Sequence, residues 1–258
     1  MPQVARISIT PVKSMALLHP DEVMLTDVGV PWDRLFYLVD GGGRLFTTRR
    51  EGNPTQPVVP AYEPEREDLS LTFPDGSVVR GPASELGEPL VTDFYGRPVR
   101  AHVVRGPWQA ALSAYLETHA RLARCDRPGD GTDVYHATLM SSASVAEVGK
   151  RGGHDGDLDG RRFRMTFELD GCTAHEEDTW AGHPIRIGKA RLRVYGQVPR
   201  CVVTTQHPET GLKDFDTLKA ITAYRGLMPN GTGIPFGMYA EVEQPGRVRV
   251  GDDVRVLG

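Results

Sequence analysis

Cys201 sits in the run Val198-Pro199-Arg200-Cys201-Val202-Val203-Thr204-Thr205, directly after an arginine. An adjacent guanidinium favours thiolate over thiol, and a thiolate is both a nucleophile and a soft metal donor. The plainer reading is a buried strand cysteine, since free cysteine is among the most buried residue types. Lys13-Ser14 follows Pro11 at the end of a β-like run. A lysine, a hydroxyl and exposed backbone N–H groups at such a corner suit a phosphate. Arg34, after Asp33, stands at a strand mouth, where it can fork onto a phosphate or a heterocycle edge, or make an ordinary surface ion pair. Arg161, Arg162 and Arg164 precede a further strand-like run. With Phe163 facing a core, alternation puts Arg162 and Arg164 on one face, which suits an anion or a solvated surface.

Other chemistries find no support. The eight histidines show no HxH or HExxH spacing, and His136, His154, His175, His183 and His207 stand alone, so a zinc hydrolase is not indicated. Glu176-Glu177-Asp178 reads as a solvated acidic loop. There is no GxSxG elbow, no GxGxxG and no Walker loop. Cys125, Cys172 and Cys201 form no CxxC, which argues against a disulfide framework and a cysteine-based zinc site and fits a reducing cytoplasm.

The elements that must position these residues are short strands. In 258 residues there are 29 Gly and 20 Pro, enough for many turns. Strands are expected over 4–9, Val23–Leu25, Leu35–Asp40 and Arg44–Thr48, the last two joined by Gly41-Gly42-Gly43. Residues 52–67 read as a loop or edge. Leu69–Phe73 and Ser77–Arg80 form a hairpin about Asp75-Gly76, and Val99–Val104 follows. The spacing over Trp108–Ala123 predicts a helix. Asp126–Asp133 is polar and Gly/Pro-containing, a linker between halves at 1–125 and 126–258. Beyond it, Ala137–Met140 is apolar, and a helix capped within Ser141–Ser144 runs through Val148. Strands are expected over Phe163–Leu169, Ile185–Ile187, Ala190–Val194, Cys201–Thr205, Tyr239–Val242 and Val248–Val250, with a short helix at Asp216–Tyr224. This is mainly β with a few helices, an α+β fold closer to barrels than to a doubly wound sheet. A net charge of −4 and pI near 6.1 argue against a nucleic-acid binder. Arginine outnumbers lysine 25 to 5, which suits bidentate anion binding. No run approaches a membrane span, and the first residues lack a signal-peptide core.

Taken in order, TPVKS (10–14), GVPWDRLFYLVDGGGRLFTTRR (29–50), RFRMTFELDG (162–171), PRCVVTTQHPETG (199–211), PFGMYAEV (235–242) and GRVRVGDDV (246–254) resemble the MOSC proteins, in the version with an N-terminal MOSC β-barrel domain. That group includes the mitochondrial amidoxime-reducing component and its bacterial relatives. The resemblance implies an N-terminal β-barrel-like domain, a C-terminal MOSC β-barrel and a molybdenum cofactor (Mo-molybdopterin) in a cleft between them. Cys201 matches the thiolate that ligates molybdenum. Lys13, Ser14, Arg34, Arg164 and Arg200 match positions that hold the pterin tail and its phosphate. Asp133 falls near an aspartate that touches the pterin, and Thr166 stands where relatives carry an asparagine. The activity implied is reduction of N-oxygenated small molecules such as N-hydroxylated amidines or hydroxylamines. Its electrons would come from an external donor of reductase, ferredoxin or cytochrome type, because the cysteine spacing of a fused iron–sulfur domain is absent.

The chain departs from that group at Met165-Thr166, at His136, and at Met15-Ala16-Leu17-Leu18, which is expected to add apolar bulk near the cleft. Two alternatives remain: a sulfur carrier with a persulfide on Cys201, and a biosynthetic or binding protein with a changed substrate, for fold alone does not decide function.

Overall fold

The computed structural model describes residues 1–46, 54–229, 231 and 233–257. In chain order the strands of the first half are β1 (Gln3–Ile7), β2 (Glu22–Leu25), β3 (Phe36–Asp40), β4 (Val59–Glu63), β5 (Asp68–Thr72), β6 (Val78–Pro82), β7 (Leu86–Phe94) and β8 (Arg97–Val104). Helix α1 (Trp108–Tyr115), β9 (Ala120–Cys125) and β10 (Ala137–Ser141) follow, then α2 (Ser142–Gly152), β11 (Phe167–Asp170), β12 (Pro184–Ile187) and β13 (Ala190–Arg200). The chain ends with α3 (Thr217–Arg225), β14 (Ile234–Gln244), β15 (Gly246–Arg249) and β16 (Val254–Val256). The fold is α+β and mostly strand, as the short, turn-separated runs predict.

A seven-stranded sheet in the order β1-β11-β10-β14-β13-β12-β16 builds the larger barrel. Its two edges nearly meet: Val4 N donates to Asp252 O (2.9 Å), Gly251 N to Val4 O (2.8 Å) and Val254 N to Pro2 O (2.8 Å). Closure of this kind removes the exposed edge that an open sheet would leave. β2 and β15 form a two-stranded ribbon. Val4, Ile7, Ile9, Val23, Leu25 and Val30 share one core with β10–β16, so by packing the first thirty residues go with the second half of the chain. The sheets β3-β9-β8-β7 and β4-β5-β6 enclose a separate core around Phe36, Tyr37, Leu69, Leu71 and Trp108. A third apolar cluster, with Phe163, Met165, Val198 and Phe236, sits beneath α2 and α3.

Several local expectations give way to tertiary pairing. The helix expected over Trp108–Ala123 stops at Tyr115, because Glu117 takes a left-handed φ of 51°. From Ala120 the pattern becomes Ala120 and Leu122 buried with Arg121 between them, and β9 then pairs on both sides, with β3 and β8. β7 lies where no strand was expected, and β4 falls within 52–67 as the edge of the two readings given for that stretch. β4 carries Pro60 and occupies an edge, the place where proline is tolerated. The return strand at Arg44–Thr48 is represented by a bridge between Val39 and Leu45; Thr47 and Thr48 lie outside the described residues.

Glu177 is not in a solvated loop but fully buried. Its Oε1 accepts from Ser141 N (3.1 Å) and Ser144 Oγ (2.7 Å), at the N-terminus of α2. A carboxylate there offsets the helix dipole and satisfies an otherwise orphaned donor. Glu177→Ala is expected to destabilise the protein by about 1–3 kcal/mol, read as a lower midpoint in urea with unchanged slope.

Candidate functional site

The Lys13-Ser14 turn is held onto β3. Phe36 N donates to Pro11 O (2.9 Å) and Lys13 N to Phe36 O (2.8 Å). Arg34 N donates to Thr10 O (2.6 Å), and the buried Asp33 accepts from Thr10 N (2.8 Å) while pairing with the Arg34 guanidinium. These bonds place Lys13, Ser14 and Arg34 side by side. Opposite them, Asp159 caps the 3-10 turn Gly160–Phe163 by accepting from Arg161 N (2.9 Å), and the chain then turns left-handed at Arg164. The strand expected over Phe163–Leu169 is therefore only Phe167–Asp170. Ser14 (φ 75°), Arg34 (φ 55°) and Arg164 (φ 53°) all adopt the left-handed region. Non-glycine residues enter it at a cost, and such residues cluster at functional sites.

Cys201 is not in a strand. β13 ends at Arg200, and the Thr204 and Thr205 hydroxyls fold back onto Cys201 O (3.1 Å) and Val202 O (2.7 Å), setting a 3-10 turn over Val202–Thr205. Threonine hydroxyls that bond local carbonyls compete in this way with a sheet ladder. The result leaves Cys201 half-buried at the rim of a crevice shared by both halves of the chain.

Every residue singled out for the cofactor meets here: Lys13, Ser14, Arg34, Asp133, Arg164, Thr166, Arg200 and Cys201 line one crevice. Lys13 Nζ donates to Asp133 Oδ1 (2.6 Å) and to Gly131 O (3.1 Å). Gly131 passes so near Arg34 that a Cβ would lie 1.8 Å from Arg34 O, so the Asp126–Asp133 segment is a fitted wall and not a free linker. Arg97 secures it, with Nη2 donating to Asp130 O (2.8 Å) and Thr132 O (2.6 Å). Thr166 exchanges hydrogen bonds with Thr138, its N donating to Thr138 Oγ1 at 2.9 Å.

Two expectations change. Arg162 does not share a face with Arg164; it is buried on the 3-10 turn and bound to Asp214 by two hydrogen bonds of 3.0 Å. Met15 does not fill the cleft either, for its side chain is buried in the first core. Only its carbonyl faces the site, accepting from Arg164 Nη2 at 2.6 Å. Gln56, Tyr135 and Tyr239 join the site without a signal in the sequence. Gln56 binds Arg164, and the two tyrosines, 5.4 Å apart between ring centroids, line the crevice. No local motif marks any of them.

The electrostatics are unusual for an interior. Burial pushes the Lys13 ammonium below its ordinary value against the pull of Asp133. Burial, and secondarily the charge of Arg34, drives Arg164 down to about 9, and burial also lowers Arg200, opposed by Cys201. Arg34 and Lys13 have carboxylates. Arg164 has Met15 O and Gln56 Oε1 (3.0 Å). Arg200 has Phe163 O and Met165 Sδ (3.2 Å), and its Nε has no partner among the described residues. Among the described residues neither guanidinium has a carboxylate hydrogen-bonded to it, an arrangement that suits an anion. The crevice has a cavity volume of about 150 Å³.

A wider hollow of about 1040 Å³, lined by Arg186, Lys189 and Arg247 among others, lies at the other end of β13 and contains neither a thiol nor a buried cation. Among the described residues no three His, Cys, Asp or Glu side chains converge to hold a metal ion. A metal on Cys201 would therefore take its other donors from a ligand. Among the described residues no helix is long and apolar enough to cross a membrane.

A family model described as the MOSC domain matches residues 126–255, and one described as the MOSC N-terminal beta barrel domain matches residues 1–91. The chain is 34% identical over 282 residues to mitochondrial amidoxime reducing component 2 of Bos taurus, covering 97% of this chain and 82% of that protein. It is 30% identical over 296 residues to mitochondrial amidoxime-reducing component 1 of Homo sapiens, covering 99% and 83%. Among solved structures, the YUAD protein from Bacillus subtilis aligns over 99% of this chain and 96% of its own, at 15% identity and a TM-score of 0.46.

Proposed function

Because the chain belongs to the MOSC family, we propose that it is a molybdenum-cofactor oxidoreductase reducing N-oxygenated small molecules, the chemistry that the names of its amidoxime-reducing relatives describe. One observation carries the reading: a thiol and two buried guanidiniums without carboxylates face one crevice. That donor set fits a ligand with a soft metal at one end and a phosphate at the other. Cys201 would hold the metal. Lys13, Ser14, Arg34, Arg164 and Arg200 would hold the pterin and its anionic tail, with Asp133 and Thr166 at its edge.

Bound there, the cofactor supplies a two-electron couple able to take oxygen from nitrogen. Reducing an N-hydroxy group consumes two electrons and two protons and releases water. Burial pushes the Tyr239 hydroxyl up to about 12, so it keeps its proton at neutral pH and can donate a hydrogen bond to an oxygen on nitrogen. Asp133, exposed at the mouth and held by Lys13, offers a carboxylate through which protons can pass from solvent. Phe163, Val198 and Val203 line the same crevice with apolar surface and limit water. The electrons come from a separate donor of reductase, ferredoxin or cytochrome type, and three unpaired thiols suit a reducing compartment such as the cytoplasm.

The persulfide-carrier alternative uses Cys201 alone and gives the buried cations no role. Metal and pterin analysis of protein purified from a cofactor-competent host tests the proposal. About one molybdenum and one pterin per chain are expected by the ligand count above; folded protein holding neither overturns the reading.

A further inference from the structure

Gln56 is buried in the segment that covers the Lys13-Ser14 turn, where Ala16 N donates to Val58 O (3.0 Å). Its side chain works at both ends. The amide oxygen accepts from Arg164 Nη1 at 3.0 Å, and the amide nitrogen donates to Pro208 O at 2.7 Å. With Met15 O on Nη2, Arg164 is fixed at two points, and both acceptors are uncharged. The ordinary partner of a buried guanidinium is a carboxylate, matched in charge and able to bind it bidentately. A glutamate differs from glutamine by one atom; it would hold Arg164 at least as well and would cancel its charge. Arg200 repeats the arrangement with a carbonyl and a thioether. Elsewhere in the same loop cluster, Arg162 receives a carboxylate. Around the one turn at Phe163, then, one arginine is neutralised and two are held by uncharged acceptors.

We propose that Gln56 is a positioning residue. It fixes Arg164 through an uncharged acceptor, so that the guanidinium charge remains for a dianionic group such as a phosphate ester, and it ties that arginine to the 207–212 loop that follows Cys201. His207 N donates to Leu212 O (2.7 Å) and Gly211 N to His207 O (2.9 Å), so this loop is a closed unit that Gln56 grips at Pro208. An anion that draws on Arg164 thereby also restrains the loop beside the thiol. The inference rests on reading the crevice as the anion-ended half of a cofactor site, but it requires only the anion.

The test uses cofactor-free full-length protein and inorganic phosphate as the probe, with binding followed by calorimetry and the 207–212 amides by hydrogen exchange. Gln56→Glu is expected to weaken phosphate at least about tenfold, since an added negative charge beside Arg164 opposes the anion, and it also gives up the donor to Pro208 O. Gln56→Met keeps the volume without the hydrogen bonds. It is expected to weaken phosphate less than Gln56→Glu does, and to abolish the rise in 207–212 protection that phosphate causes in the wild type. Equal phosphate affinity in wild type and Gln56→Glu overturns the proposal, as does a wild type that binds no phosphate. If Gln56→Glu does not fold, Gln56→Met decides, and undiminished phosphate-linked protection of the loop overturns the coupling. Pterin content of the wild-type holoprotein separates the two readings. The expected ranking without pterin leaves the clamp and removes the cofactor function; full pterin with no ranking does the reverse.

Discussion

Cys201→Ser is expected to retain the fold and, where the site holds the proposed cofactor, to lose the metal. Molybdenum in the purified variant is expected to fall below about a tenth of the wild-type content, since even changes to groups that merely support a metal ligand cost 10–100-fold in affinity, and N-hydroxy reduction falls with it. The usual objection to such a result is collapse of the structure, and here the geometry answers it. Cys201 occupies the residue just before the 3-10 turn Val202–Thr205, with extended backbone and no side-chain cap. Serine is a favoured residue at that kind of position, because its oxygen can accept from a free N–H of the first turn. The melting temperature of the cofactor-free variant should therefore equal or slightly exceed that of the cofactor-free wild type. The other two cysteines serve as internal controls. Burial, with Asp130 nearby, pushes Cys125 up to about 12, and burial with Glu176 does the same for Cys172. Both remain neutral thiols at physiological pH, so Cys125→Ala and Cys172→Ala should leave molybdenum content unchanged. Loss of metal in all three variants would remove the special role of position 201.

Part of the crevice was legible as candidates from local chemistry, beside plainer readings, while Asp133 and Thr166 came only with the family resemblance. A Lys-Ser corner after proline, an Asp-Arg pair ahead of a strand and an Arg-Cys dipeptide each keep their meaning over two or three residues, and the fold brings all of them to one crevice. What misled was the assumption that each was carried by regular structure. Cys201 and Arg164 lie on tight turns built by threonine and aspartate side chains, and period-2 alternation has no force there. The same misreading grouped Arg162 with Arg164. The barrels were legible as short strands between Gly and Pro, while β9 was hidden inside a helical spacing that holds until Tyr115. Its strand character comes from two partners distant in sequence, β3 and β8. Gln56 was invisible for a related reason. Arg164 and Pro208, to which it bonds, lie 108 and 152 residues away, and a single glutamine among prolines gives no sign of either.

The second large effect follows from the arginine that the site does not use. Arg162 is 1% exposed at its side chain and is bound through both terminal nitrogens to Asp214, with Nη1 also donating to Thr204 O (3.3 Å). Removing one partner of a buried pair leaves an uncompensated charge and costs about 3–5 kcal/mol. Asp214 is itself 31% exposed, which places Asp214→Ala toward the lower end, about 3 kcal/mol, or a fall in melting temperature of roughly 6–12 °C for a chain of this size. Pairing Asp214→Ala with Arg162→Met should recover most of that loss, since a packed apolar side chain replaces the stranded charge; a double variant as unstable as the single one would show that the bond geometry, and not the charge, is what matters. The pH dependence has a definite sign. Burial pushes the Asp214 carboxyl up, but the hydrogen bond and charge of Arg162, with His207, outweigh it and hold the group below its ordinary 3.8. A depressed carboxylate contributes stability that is present above the unfolded value and is lost as pH falls through the folded one. The gap between wild type and Asp214→Asn, measured in urea, should be constant near neutrality and close only below about pH 4. The segment that would loosen runs from Thr204 to Asp214, whose N donates to Thr205 O (3.1 Å). That segment includes the loop gripped by Gln56, so Asp214→Ala should also lower cofactor retention without touching any group that binds the ligand. The neutralised arginine keeps the loop in place, and on the proposed function the two uncancelled ones act on what enters the crevice.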